Sequence, residues 1–301
     1  MVGRVRTRLG ATGLTAATLE AGVERFVAMG TRIELHLFGA GDADAPAQAR
    51  RAIEAVDDAL TIHRPSATTA LNHALVRGGV ATVDDPILLD ALAGVAAAWA
   101  ATEGLFDPTV DTTGDARGGW PEVRVDAASG TVEASHPLAF DFGGFGKGFA
   151  LDRACDALRA AGVSSAFLSA GESSIAVLGE HPLGGTWPLT VPHPLQPGAM
   201  LIELELEDAA LSISSTVGDG THAPWRAPMV RPSDGAIVTA PATAVAVEAR
   251  GAMAEAMSTA LLVADAATAA RLSAAARPGR RHRFSFAGAP AGALSSAGPV
   301  Q

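Results

Sequence analysis

Short turns between alternating segments set the tightest limit on how this chain can fold. The run "EVRVDAASGTVEA" places alternating stretches on either side of Gly130, and that pattern reads as a hairpin with the glycine in its turn. "SSAFLSAGESSIAVLG" reads as a strand broken by a turn at Gly171. Strands joined by such short links pair antiparallel, because a parallel pair needs a crossover of about a dozen residues or more. "AMLIELELEDAALSISS" sets Ile202, Leu204 and Leu206 against Glu203, Glu205 and Glu207. This is the period of a half-exposed strand, and it makes the glutamates a solvated face rather than a metal site. "TRIELHLFG", with Ile33, Leu35 and Leu37 on one side, and "ATAVAVEA" supply further strands.

Helical periods lie between them. "APAQARRAIEAVDDALTIH", "AMAEAMSTALLVAD" and "DAATAARLSAAAR" each read as helix. In "DDPILLDALAGVAAAWAATEG", Asp85 can cap, Pro86 suits the first turn, and Leu88, Leu92, Val95 and Trp99 share a face. Together these segments predict a mixed α/β (α+β) architecture, with largely antiparallel sheets flanked by helices rather than a doubly wound parallel sheet. The sequence has no clear internal repeat, and no linker divides it into independent domains. The tail 287–301, rich in Ala, Gly, Pro and Ser, is expected to be flexible.

Composition narrows the partners. A chain of 301 residues that is 48% hydrophobic and 18% charged is expected to fold with ample core. Its formal net charge of −10 argues against nucleic acid or an anionic membrane as the main partner. An anionic ligand would therefore be held locally, by a lysine, helix ends or a metal. The one cysteine, Cys155, falls in a helical run and reads as a buried structural thiol. The first residues, 1–22, are basic and lack the apolar core of a signal peptide. "ILLDALAGVAAAWAA" is too short to span a membrane and contains Asp90, so the default expectation is a cytoplasmic protein.

Four constellations could carry chemistry. "DFGGFGKGFALDRA", Asp141 to Ala154, sets one lysine in a glycine-rich turn that opens a helical pattern. A helix start offers unpaired N–H groups and a positive dipole end, both suited to phosphate, and Lys147 adds a full charge there. The alternative is a helix entry whose glycines serve packing, with the lysine in solvent. Glu255 and Thr259 in "AEAMSTALLV" are four apart and share a helix face. A carboxylate beside a hydroxyl suits Mg2+, although that spacing is commonplace. In "LFDPTV", Pro108 biases Asp107 toward extended backbone. Asp107 then either accepts hydrogen bonds from a polar heterocycle or belongs to a helix-stop signal. Met29, ahead of a strand in "FVAMGTRIEL", suits a flat aromatic ligand and equally a core.

In their order these pieces resemble the ApbE family of FAD:protein FMN transferases, from about Phe26 to Val263. "MGTRIEL", "DDALTIHRPSATTALN", "GLFDPTV", "DFGGFGKGFALDRACDALRAAGVSSAFLSAGESSIAVLG" and "EAMSTALLV" each look like a family motif. The resemblance implies one two-lobed, T-fold-like catalytic domain over 23–286, behind an extension at 1–22. It implies FAD as substrate, Mg2+ as cofactor, and an acceptor protein that receives FMN on a threonine or serine with release of AMP. Carried over by position, the flavin contacts would be Met29, His63, Leu105, Phe106, Asp107, Asp141 and Lys147. The magnesium ligands would be the Gly144 carbonyl and the side chains of Glu255 and Thr259.

The chain also departs from the family pattern. His63 replaces a usual tyrosine, and Glu255 a usual aspartate. Where the family carries a histidine and an aspartate, "PMVRPSDG" has Pro228 and Arg231. His222, six residues before Pro228, is the candidate to replace that histidine in catalysis beside Lys147. The departure at Pro228 and Arg231 motivates one alternative, a flavin-binding carrier without transfer activity; a second is a hydrolase giving FMN and AMP from FAD at the same metal site. An unrelated α/β enzyme is the remaining reading.

Overall fold

The computed structural model describes residues 20–39, 41–77, 79–109, 119–217 and 229–286. The chain opens with β1 (Glu20–Ala28), β2 (Thr31–Phe38), α1 (Ala45–Leu60) and α2 (Ala67–Leu75). Next come β3 (Val80–Thr82), α3 (Pro86–Ala101), β4 (Val123–Asp126), β5 (Thr131–Ala134) and α4 (Gly146–Ala160). A run of strands follows: β6 (Ser165–Ala170), β7 (Ser174–Leu178), β8 (Trp187–Pro192), β9 (Met200–Leu206) and β10 (Ala209–Ser215). β11 (Ala242–Glu248), α5 (Gly251–Val263), α6 (Ala266–Ala274) and β12 (Arg281–Ser285) complete the order.

Seven strands make one sheet in the order β1-β2-β6-β7-β10-β11-β12, every neighbouring pair antiparallel. This is the mixed α+β architecture that the hairpin signals predict. The turn at Gly171 joins β6 to β7. Gly171 has φ 63°, and a Cβ there would fall 2.4 Å from Thr31 Oγ1, so the position takes only glycine. The Gly130 hairpin is β4–β5, which pairs with β3 in a separate three-stranded sheet.

The centre of the large sheet is buried on both faces, and β7 shows it in a sequence that is apolar nearly throughout. Ala176 and Leu178 pack with Leu35 of β2, Ile53 of α1 and Leu151 and Leu158 of α4. Ile175 and Val177 point the other way, against Trp187, Leu189 and Leu206 of the β8–β9 hairpin. A strand with two buried faces loses the alternation that marks a half-exposed one. Each fully buried leucine in these layers contributes roughly 1.5–3 kcal/mol. α5 closes the remaining part, with Met257 and Leu261 against Ala244 and Ala246 of β11.

One expected strand is two. "AMLIELELEDAALSISS" divides into β9 and β10 at Asp208, whose φ is 41°. β9 keeps its glutamates exposed and pairs only with β8, whereas β10 lies between β7 and β11 in the large sheet. The alternation ends at Glu207-Asp208, where two charged residues in succession mark the turn. The tail 287–301 lies outside the described residues, and β1 begins at Glu20. Among the described residues no helix is long and apolar enough to cross a membrane.

Candidate active site where two helices cross

α4 and α5 meet through glycine. A Cβ on Gly148 would lie 2.1 Å from the Gly251 carbonyl oxygen, and one on Gly251 would lie 2.6 Å from that of Gly148. No side chain fits at either place. The contact is fastened from one side by Asp152, one turn further along α4. Its carboxylate accepts hydrogen bonds from the Gly251 and Ala252 N–H groups at 2.6 and 3.0 Å. α5 has no side-chain cap of its own, so a residue of the neighbouring helix satisfies its first N–H groups. Burial pushes the Asp152 carboxyl up to about 6, against the pull of those two N–H groups and of Arg250. Arg250 in turn grips Asp156 of α4 with two hydrogen bonds of 2.7 Å.

This crossing brings Lys147, in the first turn of α4, to Glu255, in the second turn of α5. Lys147 Nζ lies 2.8 Å from Glu255 Oε1, with the side chains 24% and 3% exposed. Ser174, at the start of β7, donates a hydrogen bond to the same oxygen. Glu255 Oε2 is buried and has no hydrogen-bond partner. Thr259 stands one turn further along the same face of α5, and its Oγ1 would lie 3.2 Å from a Cβ on Gly144.

These residues suit a hard cation. A buried carboxylate oxygen without a donor is costly to leave unpaired, and one turn further along α5 the Thr259 hydroxyl lies against Gly144. Among the described residues no three His, Cys, Asp or Glu form a metal cluster. A cation here would therefore keep waters or ligand oxygens, as Mg2+ usually does. Glu255 Oε2, Thr259 Oγ1 and the Gly144 carbonyl are the groups that would hold it.

The loop leading into α4 is pinned at several points. Asn72 of α2 both donates to the Phe140 carbonyl and accepts from the Phe140 N–H, at 2.8 and 2.7 Å. Asp141 N–H donates to the Pro108 carbonyl at 2.8 Å, and the exposed Asp141 carboxylate accepts from Gly143 N–H at 2.8 Å. Phe145 precedes α4 without a side-chain cap, and its ring stacks on Phe106 and Phe149. Met29, with φ 54°, lays its methyl against Gly146, 2.9 Å from where a Cβ would be.

The sequence-derived positions thus separate into groups. Lys147, Glu255, Thr259, Gly144 and Phe106 gather around one point, and Met29 and Asp141 flank the same helix entry. Leu105 is half-buried against the α5–α6 core. His63 is exposed in the link after α1, whose last residue, Leu60, also packs near Gly146. Asp107 spends its carboxylate on its own surroundings, accepting from Thr109 N–H and hydroxyl and from Trp120 N–H at 2.9, 2.6 and 2.9 Å. His222 and Pro228 lie outside the described residues. Arg231 donates to the Val263 carbonyl and to Asp234, at 3.1 and 2.8 Å, so its charge serves structure. The Cys155 thiol is buried and pushed up to about 12, as an inert core thiol is.

Sequence reasoning missed Ser174, Asn72 and Asp152. Asn72 ends a segment that resembles a family motif, Ser174 sits in the "SAGESS" turn, and Asp152 follows Lys147 by five residues. None carries a local signal for the distant group it meets.

Comparison with known proteins places the fold. The family model described as "ApbE family" matches residues 29–282. The apo flavinyl transferase ApbE of Pseudomonas stutzeri superposes with a TM-score of 0.71 at 20% identity, over 88% of this chain and 94% of that one. The ApbE protein of Thermotoga maritima gives 0.71 at 19%, over 87% and 93%. The flavin transferase ApbE of Vibrio cholerae gives 0.69 at 17%, over 88% and 97%. A search of curated proteins finds no match. The fold is the one these structures share, and because the family model spans most of its length, this chain belongs to the ApbE family.

Proposed function

We propose that this chain is a Mg2+-dependent FAD:protein FMN transferase. The observation that carries the reading is the convergence of Lys147, Glu255 and Thr259 at an uncapped helix start beside Gly144. Membership of the ApbE family and the flavin transferase names of the solved relatives support it. In this reading Met29, Phe106 and Asp141 border the flavin end of FAD, with His63, Leu105 and Asp107 further out. Lys147 and the N–H groups opening α4 hold the pyrophosphate. Mg2+, when bound, neutralises charge on the phosphoanhydride. A threonine or serine hydroxyl of the acceptor protein attacks the FMN phosphorus, the bond to the bridging oxygen breaks, and AMP leaves. Phosphoryl transfer depends on positioning and electrostatics, which is what these residues offer. His222 is the proposed base for the hydroxyl proton.

Incubating the purified protein with FAD, Mg2+ and candidate acceptors tests this directly. Transfer gives an acceptor whose mass rises by the FMN group and one AMP per acceptor modified. FAD binding without any covalent flavin would overturn transfer. The use of Arg231 for Val263 and Asp234 favours a second reading, a flavin-binding carrier without transfer activity. AMP release without acceptor would instead identify hydrolysis, with water in place of the acceptor hydroxyl.

A further inference from the structure

The two carboxylate oxygens of Glu255 have unlike surroundings. Oε1 takes both the Lys147 ammonium, at 2.8 Å, and the Ser174 hydroxyl, whereas Oε2 is buried without a hydrogen-bond partner. The two donors also differ in kind. Lys147 is a long, charged side chain, 24% exposed. Ser174 is 2% exposed and fixed in the sheet, its backbone paired with Ala170 of β6 and Ser212 of β10. It reaches Glu255 from outside the helix that carries it.

We propose that Ser174 is a positioning residue for Glu255, holding Oε1 so that Oε2 faces a divalent cation. This rests on the transferase reading above. A glutamate turns about three side-chain bonds, and a partner on one oxygen selects which way the other points. Lys147 cannot fill that role throughout. When its ammonium turns toward a phosphate, Oε1 loses its charged donor, and a cation on Oε2 carries the same sign as the lysine. The Ser174 hydroxyl is neutral, so it stays on Oε1 with the cation and the phosphate both present.

The test is Mn2+ binding, followed by the loss of the free-ion electron paramagnetic resonance signal, with and without FAD. Wild type, Ser174→Ala, Ser174→Thr and Glu255→Ala are compared, with thermal melting of each. Ser174→Ala should raise the Mn2+ dissociation constant about tenfold, the lower end of what partners of metal-bound groups contribute. Ser174→Thr, which keeps the hydroxyl, should restore the wild-type value. Equal affinity in Ser174→Ala and wild type overturns the proposal. So does equal weakening in the alanine and threonine variants, which would assign the effect to side-chain shape. Glu255→Ala keeps the two ideas apart. If wild type binds Mn2+ no better than Glu255→Ala, the cation site itself falls; if only the serine variants are indifferent, Ser174 alone falls.

Discussion

Gly148 and Gly251 touch backbone to backbone, and that contact sets the spacing between Lys147, just before Gly148 on α4, and Glu255, one turn after Gly251 on α5. A Cβ on Gly148 would enter the Gly251 carbonyl oxygen at 2.1 Å. Neither atom belongs to a flexible side chain, so the helices themselves must part. Gly148→Ala is expected to destabilise the protein by about 1–3 kcal/mol, as overpacking of a fitted contact does. It should also weaken FAD binding, because Lys147 and Glu255 no longer meet. Urea unfolding and flavin fluorescence titration measure the two effects. A wild-type midpoint would mean that the helices part without cost.

Lys147→Ala follows from the same geometry. The ammonium lies 2.8 Å from a carboxylate that is 3% exposed. Removing it takes away the proposed pyrophosphate anchor and leaves Glu255 Oε1 with the Ser174 hydroxyl. FAD affinity should fall at least about tenfold, the lower part of what a charge-assisted hydrogen bond contributes. Fluorescence titration measures this, and an unchanged dissociation constant would return Lys147 to the role of a solvated helix-entry residue.

Glu255→Gln separates charge from shape. The amide keeps the length of the side chain and can still accept from Ser174, but it no longer offers an anionic oxygen. Cation-dependent AMP release should be lost while far-ultraviolet circular dichroism remains that of wild type. Activity retained at wild-type Mg2+ concentrations would remove Glu255 from the cation site.

What the sequence discloses here follows the range of the interactions. The Gly130 and Gly171 turns and the Asp85 cap are local, and each reads directly from its neighbours. Asp85 accepts from the Ile87 and Leu88 N–H groups, as its place before Pro86 implies. The β9–β10 break shows in the sequence only as a one-residue slip, since the alternation resumes after Glu207-Asp208 at Ala209, Leu211 and Ile213. β12, Arg-His-Arg-Phe-Ser, hides its strand character behind charge, yet it forms the half-buried sheet edge, where Arg281 donates to Glu248 and to the Leu272 carbonyl. In the site, Lys147 stands out by its glycine-rich setting, whereas Glu255 and Thr259, at a commonplace spacing, are picked out only by the resemblance of their segment to a family motif. Ser174 and Asn72 do not stand out, since their meaning lies in partners 81 and 68 residues away. Asp152 is the same kind of case, and its partner lies 99 residues on.

The buried Asp152 makes the helix crossing sensitive to pH, and the sign can be worked out. Its carboxyl stands at about 6 in the fold, against 3.8 as the ordinary value, because burial outweighs the two N–H groups and Arg250. Asp156 and Arg250 are the charged groups that face it. A carboxyl raised by folding binds its proton more tightly in the native state than in the unfolded chain. Its contribution to stability is therefore fully present below pH 3.8 and is lost as pH rises through about 6. At 1.36 kcal/mol per unit, the loss amounts to about 2–3 kcal/mol. Asp152→Asn cannot ionise, although it keeps one oxygen to accept from α5. The unfolding free energy of wild type minus that of Asp152→Asn should therefore fall between pH 4 and pH 7 by about that amount. Urea unfolding of both proteins across this range reads the difference and cancels the titrations they share. A flat difference, or one that grows with pH, would mean that the two N–H groups and Arg250 outweigh burial and hold Asp152 ionised throughout.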